Sequence, residues 1–458
     1  MIDTAEDIIV QRLADQRAFF STQETKGIDF RLAQLGKLKE VIGEYEKKIE
    51  HALWEDLHKS PEEAYLTEIS IVTSEIDNHI SHLKKWAKPH KVATPIHLLP
   101  SSSKIIYEPL GIALIVAPWN YPFQLLMNPL VGAISAGCCS MLKPSPDTPN
   151  VARLMEEMLV KTFNTNYINI VQGGRETNTI LFSQAFDIIF FTGSPKVGKV
   201  VMKAAAENLT PVILELGGKS PCIVDADADI DIAAKRITWG KLINAGQSCI
   251  APDYLFAHHS IKEELLDKIA TNIQLMYGDH IKQSRFYPRI VNDSAMDRLS
   301  GLLNQGTIHT GGEIDLEERF IAPTIIDDVS PDFLIMQEEI FGPILPIMTF
   351  DQIEEAIDYI NKNEKPLAFY YFGKNKKAKE VLAKTTSGGA CINDILLHIG
   401  NHNLPFGGVG NSGMGNYHGK DSFLAFSNKR AIVTSATWFD LSLKYIPFKH
   451  FKLIKKII

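Results

Sequence analysis

A chain of 458 residues is too long for one small core, so two or three domains are expected. Its 45% hydrophobic and 22% charged residues fit an ordinary soluble globular protein, and five cysteines in this length make no disulfide framework, which points to a reducing compartment. A net charge of −7 and a pI near 6.1 lack the basic footprint of nucleic-acid binding, so no nucleic-acid partner is expected.

Met1 to Arg17 alternate acids with short apolar pairs and show no basic start leading into an apolar block, so no signal peptide is expected. Within residues 1–90, Leu32, Leu35, Leu38, Val41, Ile42, Tyr45 and Ile49 recur at helical spacing, and a helical start is predicted. The texture changes near residue 105. Residues 111–118 and 187–193 are short apolar runs ending in Pro or Gly, and 211–214 and 221–225 are similar. They read as buried strands, with helix-like stretches at 151–163 and 197–208 between them. Strands alternating with helices imply an α/β fold with a parallel sheet. No repeat or low-complexity linker marks a domain boundary. The best apolar stretch, 110–119, is shorter than the ~20 residues that cross a bilayer, and a cytoplasmic protein is expected. One segment stands apart. After Asp440 come Lys444, Lys449, Lys452, Lys455 and Lys456 with no acid, while Phe448, Phe451, Ile454 and Ile458 fall on one helical face.

Two motifs carry chemistry. Asn244-Ala245-Gly246-Gln247-Ser248-Cys249 sets a thiol among small polar residues, and Leu214-Glu215-Leu216-Gly217-Gly218-Lys219-Ser220-Pro221 sets a carboxylate in an apolar run broken by two glycines. A thiol and a carboxylate able to act as base are what acyl chemistry through a thioester needs. A lone cysteine is ordinarily a small buried hydrophobe, and Cys138, Cys139, Cys222 and Cys391 fit that reading. A carboxylate after Val212-Ile213-Leu214 is costly without a purpose or a partner; its bland reading is a strand-end acid hydrogen-bonded to backbone. Gly408-Val409-Gly410-Asn411-Ser412-Gly413 has dinucleotide-fingerprint spacing, but no strand leads into it and no βαβ unit follows. Phe191-Thr192-Gly193-Ser194-Pro195-Lys196-Val197-Gly198-Lys199 is the better phosphate-binding candidate, because it follows a strand and opens a helix. His, Cys, Asp and Glu nowhere take metal-ligand spacing, and no metal is expected.

Both chemical motifs closely resemble the active-site segments of the aldehyde dehydrogenase superfamily, and motif matches run from about residue 107 to 430. The resemblance implies that Cys249 is the nucleophile and Glu215 the general base. Pro118-Trp119-Asn120-Tyr121-Pro122 resembles the segment whose Asn amide helps hold an oxyanion, here Asn120, with the Cys249 N–H as second donor. Met141-Leu142-Lys143-Pro144-Ser145-Pro146 resembles the segment whose Lys holds the adenosine ribose of NAD. Glu338-Glu339-Ile340-Phe341-Gly342-Pro343 resembles the one whose second Glu holds the nicotinamide ribose. Lys143, Gly193, Ser194, Gly198, Glu339 and Phe341 are thus the implied cofactor residues, and residues 405–415 match a loop of the family rather than a phosphate site. Where the family often has Glu, this chain has Pro146, which neither bonds a ribose nor repels a 2′-phosphate, so NAD with tolerance of NADP is expected.

The short N-terminus, the run Met414-Gly415-Asn416-Tyr417-His418-Gly419-Lys420 and the tail resemble the class 3, fatty-aldehyde-like branch. The implied aldehyde dehydrogenase fold has a Rossmann-like cofactor domain from 1–87 and 107–216 and an α/β catalytic domain from 217–404. A small β oligomerisation bridge would come from 88–106 and 405–431, and a basic amphipathic arm from 432–458. A homodimer is implied. The implied reaction is NAD(P)-dependent oxidation of a lipophilic aldehyde (medium- or long-chain aliphatic, aromatic or polyene) to the acid. Two alternatives are carried: a CoA-acylating enzyme, against which a water-activating Glu215 argues, and a non-catalytic membrane-binding protein on the same scaffold. Residues 441–458 could give peripheral contact with the inner face of a membrane or pack on a partner subunit.

Overall fold

The computed structural model describes residues 3–440, 444–448, 451, 452 and 455. The periodic N-terminal region forms the helices Glu6–Ser21, Ile28–Leu57 and Ser70–Trp86. Along the second, Leu35, Leu38, Val41, Ile42, Tyr45 and Ile49 are buried and Leu32 is half-buried, so the expected apolar stripe is the packed face.

Five apolar runs form one parallel sheet in the order Val212–Leu216, Ile188–Gly193, Ile112–Val116, Cys139–Lys143, Ile168–Ile170. Their burial is nearly continuous, as a parallel sheet flanked by helices requires. Gln124–Ala136, Pro149–Thr162 and Pro195–Ala206 are among the helices packed on it. Ile188–Gly193 lies beside Ile112–Val116 instead of beside Ile168–Ile170. Strand order therefore reverses there, which opens a crevice at the carboxyl ends.

Past Leu216 the chain passes through residues 217–220 into a second sheet. Its seven strands run in the order Thr307–Thr310, Thr324–Asp327, Ile344–Phe350, Tyr254–His258, Pro221–Val224, Ala368–Phe372, Gly389–Ile392, and only the first is antiparallel. Phe256, Phe350, Phe369 and Tyr371 belong to its own apolar core.

A third, antiparallel sheet joins His90–Val92, Ser102–Pro109 and Ser427–Thr434, and its strands are largely exposed. Between residues 405 and 426 the chain instead runs along the first sheet. Gly413–Met414 pairs antiparallel with Val212–Leu216, setting Gly413 opposite Glu215, and the helix Lys420–Ala425 packs on Gln124–Ala136. Of the expected arm, residues 441–443, 449, 450, 453, 454 and 456–458 lie outside the described residues, Ile454, Ile458, Lys449 and Lys456 among them. Trp438, Phe439, Tyr445, Ile446, Phe448 and Phe451 are exposed, and Lys444 pairs with Asp440 at 2.6 Å. Among the described residues no helix is long and apolar enough to cross a membrane.

Glu75, buried on the helix Ser70–Trp86, ties the loop of residues 400–419 down. It accepts from His402 Nδ1 at 2.8 Å, His79 Nε2 at 3.1 Å and the Gly419 N–H at 2.6 Å. Burial alone raises its pKa, but the hydrogen bonds from His402 and His79 win and hold it well below the usual carboxylate range. The same contact raises the pKa of His402. A depressed carboxylate contributes stability that is complete above its unfolded value of 4.5 and is lost as pH falls. A raised imidazole contributes below its unfolded value of 6.5 and loses that as pH rises. Glu75→Gln should therefore cost about 2 kcal/mol, and the Tm gap from wild type should be widest between pH 4.5 and 6.5. A gap independent of pH would reduce Glu75 to packing.

Candidate active site

Cys249 stands at the end of a strained turn. Asn244, Ala245 and Gly246 take left-handed φ values of 53°, 51° and 73°. Only glycine fits the third position, where a Cβ would lie 2.2 Å from the Gly342 carbonyl oxygen. The turn is locked by the buried Gln247, whose side-chain NH2 donates to the Asn244 and Arg289 carbonyls at 3.0 Å each. Its Oε1 accepts from the Val291 N–H at 3.0 Å. Downstream, the Tyr370 hydroxyl donates to the Ile250 carbonyl at 2.6 Å.

Asn120 comes from the loop after Ile112–Val116. It is buried, and its side-chain NH2 donates to the Gln247 carbonyl at 3.1 Å, which lays the amide across the cysteine loop. Glu215 is 3% exposed, and neither of its oxygens has a hydrogen-bond partner. That removes the reading of a strand-end acid satisfied by backbone. Burial pushes its carboxyl well above the ordinary range. Burial likewise pushes the Cys249 thiol up, with Glu339 and Glu215 adding to it and the Cys249 and Ile250 N–H groups opposing it. Asn120, Glu215 and Cys249 line one cavity of about 290 Å³. The first sheet contributes residues at or beyond its carboxyl ends, and the second contributes residues just before its strands.

Gly193, Ser194, Glu339 and Phe341 line that same cavity. Ser194 caps the helix Pro195–Ala206 through the Val197 N–H, and Pro195 at the first turn needs no donor partner. Gly198 sits one turn in, away from the cavity lining: a Cβ there would lie 2.7 Å from Leu216 Cδ2, so it brings the helix close to the Glu215 strand. Phe341 takes φ +49° and meets Trp119 edge-to-face at 5.3 Å. Lys143, which by itself would be read as a surface charge, is 1% exposed and donates to the Pro144 carbonyl at 2.7 Å. Burial lowers its pKa to about 8, against Asp3 and Asp147. In the cavity Thr192 Oγ1, Glu339 Oε1 and both Glu215 oxygens are buried without partners. Orphaned polar atoms around one cavity and a capped helix N-terminus suit a polar, anionic, hydroxyl-bearing ligand such as a dinucleotide, while Lys143 lies outside that cavity's lining. The glycine-rich 408–413 run contributes nothing to that cradle; Gly413 packs its backbone on the Glu215 strand, where a Cβ would lie 2.2 Å from the Leu214 carbonyl oxygen.

A second cavity, of about 490 Å³, opens on the other side of Cys249. Tyr121, Ile243, Ile250, Met276, Tyr277 and Phe406 line it. Leu66, Trp239, Phe286 and Leu397 belong to the same lining and are exposed, so the cavity has an apolar rim. Cys249 faces both cavities. Among the described residues no group of His, Cys, Asp and Glu could hold a metal ion.

Sequence reasoning missed the side chains that hold these loops. Lys219, inside the glutamate motif, ion-pairs with Asp253 and donates to the Glu338 carbonyl at 2.9 Å. Arg298 donates to the Ile340 carbonyl at 2.7 Å. Lys59 and Glu68, which the sequence pattern did not single out, form a fully buried pair at 2.6 Å. Only the second motif gave a signal, since Lys219 lies within it.

Residues 4–432 match the aldehyde dehydrogenase family. The chain is 48% identical to 4,4'-diaponeurosporen-aldehyde dehydrogenase of Staphylococcus aureus (strain NCTC 8325 / PS 47), over 98% of this chain and 99% of that protein. It is 45% identical to the Rattus norvegicus protein named aldehyde dehydrogenase, dimeric NADP-preferring, over 92% and 93% of the two chains. Among solved structures it is similar to the substrate-bound state of Staphylococcus aureus AldH, with a TM-score of 0.96 and 47% identity over 98% of this chain and 99% of that one.

A thiol raised by burial makes a poor nucleophile until a nearby positive charge favours its thiolate. Alkylation of Cys249 by neutral iodoacetamide, followed by peptide mass, should keep climbing through pH 9.0, the ordinary thiol value. A plateau near neutrality would show a thiolate that the protein alone already stabilises.

Proposed function

The chain belongs to the aldehyde dehydrogenase family, and on that premise we propose that Cys249 is its nucleophile, Asn120 its oxyanion donor and Glu215 its base. The protein is an aldehyde dehydrogenase that uses NAD or NADP. One observation carries the site reading: Cys249 is where the cavity that holds the unpartnered Thr192, Glu215 and Glu339 oxygens meets a wider, mostly apolar cavity with an exposed apolar rim. The aldehyde enters from the apolar side and the dinucleotide occupies the polar side. Glu339 and Lys143 hold its ribose hydroxyls, and Gly193 with Ser194 receives the phosphates. Gly198 keeps that helix close, and Phe341 positions the nicotinamide.

The Cys249 thiol gives its proton to solvent water and its sulfur bonds to the aldehyde carbon as the C=O π pair moves onto oxygen, giving a thiohemiacetal whose oxyanion takes hydrogen bonds from the Asn120 NH2 and the Cys249 N–H. A bound oxidised nicotinamide supplies the hydride acceptor for that carbon and a positive charge beside the sulfur. Once the carbon is a thioester, Glu215 takes a proton from the water that attacks it. Desolvation makes Glu215 a stronger base than an exposed carboxylate, and it must lose its proton to act. The products are the carboxylic acid and the free thiol.

The apolar rim supports a lipophilic substrate, and the similar Staphylococcus aureus protein is named for a polyene aldehyde. The exposed outer strands of the three-stranded sheet support a homodimer, and the rat protein is named dimeric. The cofactor domain of 1–87 and 107–216 and the catalytic domain of 217–404 remain part of this proposal, while the bridge, expected at 88–106 and 405–431, is drawn instead from the strands His90–Val92, Ser102–Pro109 and Ser427–Thr434.

Cys249→Ala should abolish NAD(P)H formation across aldehydes from C2 to C16. Glu215→Gln should keep a single-turnover burst while steady turnover collapses by about a hundredfold, and wild-type turnover should rise with pH as Glu215 deprotonates. Loss of the burst together with the steady rate would give Glu215 another role. Run with each cofactor, the same assay should show NAD⁺ favoured but NADP⁺ accepted; a preference beyond about a thousandfold, ~4 kcal/mol, would reveal a residue that excludes the phosphate. Acid formation that required CoA would favour the acylating alternative.

The exposed aromatics from Trp438 to Phe451 support peripheral membrane contact through the basic tail. Anionic vesicles should sediment the full chain at low salt and release it at high salt. Equal binding by a chain ending at Asp440 would leave the tail a packing arm.

A further inference from the structure

Three titratable side chains from residues 59–68, Lys59, Glu63 and Glu68, reach into both halves of the site. This stretch was part of the charged N-terminal region, with nothing in its pattern to mark it. Lys59 and Glu68 are each 0% exposed in their side chains. The Lys59 ammonium donates to Glu68 Oε1 at 2.6 Å and to the Asn120 carbonyl at 2.9 Å, and it stands 4.1 Å from the Tyr121 ring centre. Glu68 Oε2 accepts from the Phe123 and Gln124 N–H groups at 2.9 and 3.0 Å. The pair thus grips the loop that presents Asn120. Glu63 grips the other half. Its Oε1 accepts from the Asn244 N–H at 2.8 Å, at the first residue of the strained turn before Cys249. Asn244 closes the circuit, since its side-chain NH2 donates to the Asn120 carbonyl at 2.8 Å and the Gln247 carbonyl at 3.0 Å.

Glu68 owes its place to a local irregularity. Residues Tyr65–Ile69 form a π-helical turn between Pro61–Ala64 and Ser70–Trp86, with Glu68 inside it. Such a turn is uncommon and tends to occur at functional sites. Buried charges persist only when paired and fully hydrogen-bonded, and here each bond the pair makes to backbone ends on residues 120–124.

We propose that residues 59–68 are the positioning element of the active site, with Lys59 and Glu68 setting the Asn120 loop and Glu63 setting the turn that aims Cys249. This rests on the reading of Cys249 as nucleophile and Asn120 as oxyanion donor. None of the three touches the reacting atoms in this scheme; they act through Asn120 and Asn244. Glu63 is the one to test, because it is half-buried at the wall of the wider, mostly apolar cavity and bonds the Asn244 N–H, whereas Lys59 and Glu68 bond each other and residues 120–124.

The test compares Glu63→Gln, which keeps an oxygen for the Asn244 N–H, with Glu63→Ala, which removes it. Each is assayed for kcat, aldehyde KM and iodoacetamide alkylation of Cys249, beside wild type and Cys249→Ala. Glu63→Ala should lose between about tenfold and a hundredfold in kcat, with KM changed less than threefold and the alkylation rate altered. Glu63→Gln should stay within about threefold of wild type throughout. Lys59→Met should reproduce the kcat loss, provided circular dichroism shows it folded. The proposal is overturned if Glu63→Ala keeps wild-type kcat, if Glu63→Gln is as impaired as Glu63→Ala, or if the Glu63→Ala loss lies only in KM. Turnover by Cys249→Ala would instead sink the site reading beneath it, so the two failures are distinguishable.

Discussion

The Lys219–Asp253 ion pair is the contact on which the arrangement of the site depends. Lys219 follows the glutamate strand by three residues, and Asp253 follows Cys249 by four. Their side chains are 17% and 5% exposed, shielded enough for the charges to attract strongly. The Lys219 ammonium also donates to the Ile335 and Glu338 carbonyls at 2.8 and 2.9 Å, and Asp253 Oδ1 accepts from the Ile340 N–H at 2.9 Å. The segments bearing Glu215, Cys249 and Glu339 therefore share one electrostatic junction. Removing either charge would strand the other in a site of low polarity, which costs more than the pair contributes.

Around that junction the protein tolerates what a folded interior ordinarily avoids. Glu215 has no partner for either oxygen, and Glu339 Oε1 has none. Burial raises the Glu339 carboxyl to about 8, with Asp253 adding to it and the Gly218 N–H, Lys219 and Arg298 holding it back. Gly217 is what lets Glu339 come so near, since a Cβ there would lie 2.1 Å from its Oε2. Groups that the protein itself leaves without a partner are those a polar ligand and a reacting water can use, so stability given up here is available for binding and chemistry.

The cavity proposed for the aldehyde works by a different principle. Its wall is mostly apolar and aromatic, with few polar groups such as Gln124 and Ser248, so it favours apolar chains through area and shape. Specificity for one aldehyde then depends on length and girth. An exposed apolar rim of Leu66, Trp239, Phe286 and Leu397 extends that surface outward.

Much of this was legible in the sequence for a physical reason. Strands of a covered parallel sheet must be apolar throughout, so residues 111–118, 187–193, 211–214 and 221–225 announced themselves. The residues proposed to react sit in short contiguous motifs, because their loops need particular neighbours: Gly246 for a left-handed turn, Gln247 to lock it, Gly217 to admit Glu339. The misleading 408–413 glycines were identifiable as such because no strand precedes them, though only pairing in space shows that they pack on the Glu215 strand. Tertiary structure alone decided the rest. Burial of Lys143, Lys59 and Glu68 depends on what lies across from them, and nothing in a charged stretch of sequence separates a solvated Lys from one sealed against a distant loop. The strength of a charge, and the proton affinity of Glu215 and Cys249, is set by water excluded from all sides at once, a property of three-dimensional packing that no local pattern encodes.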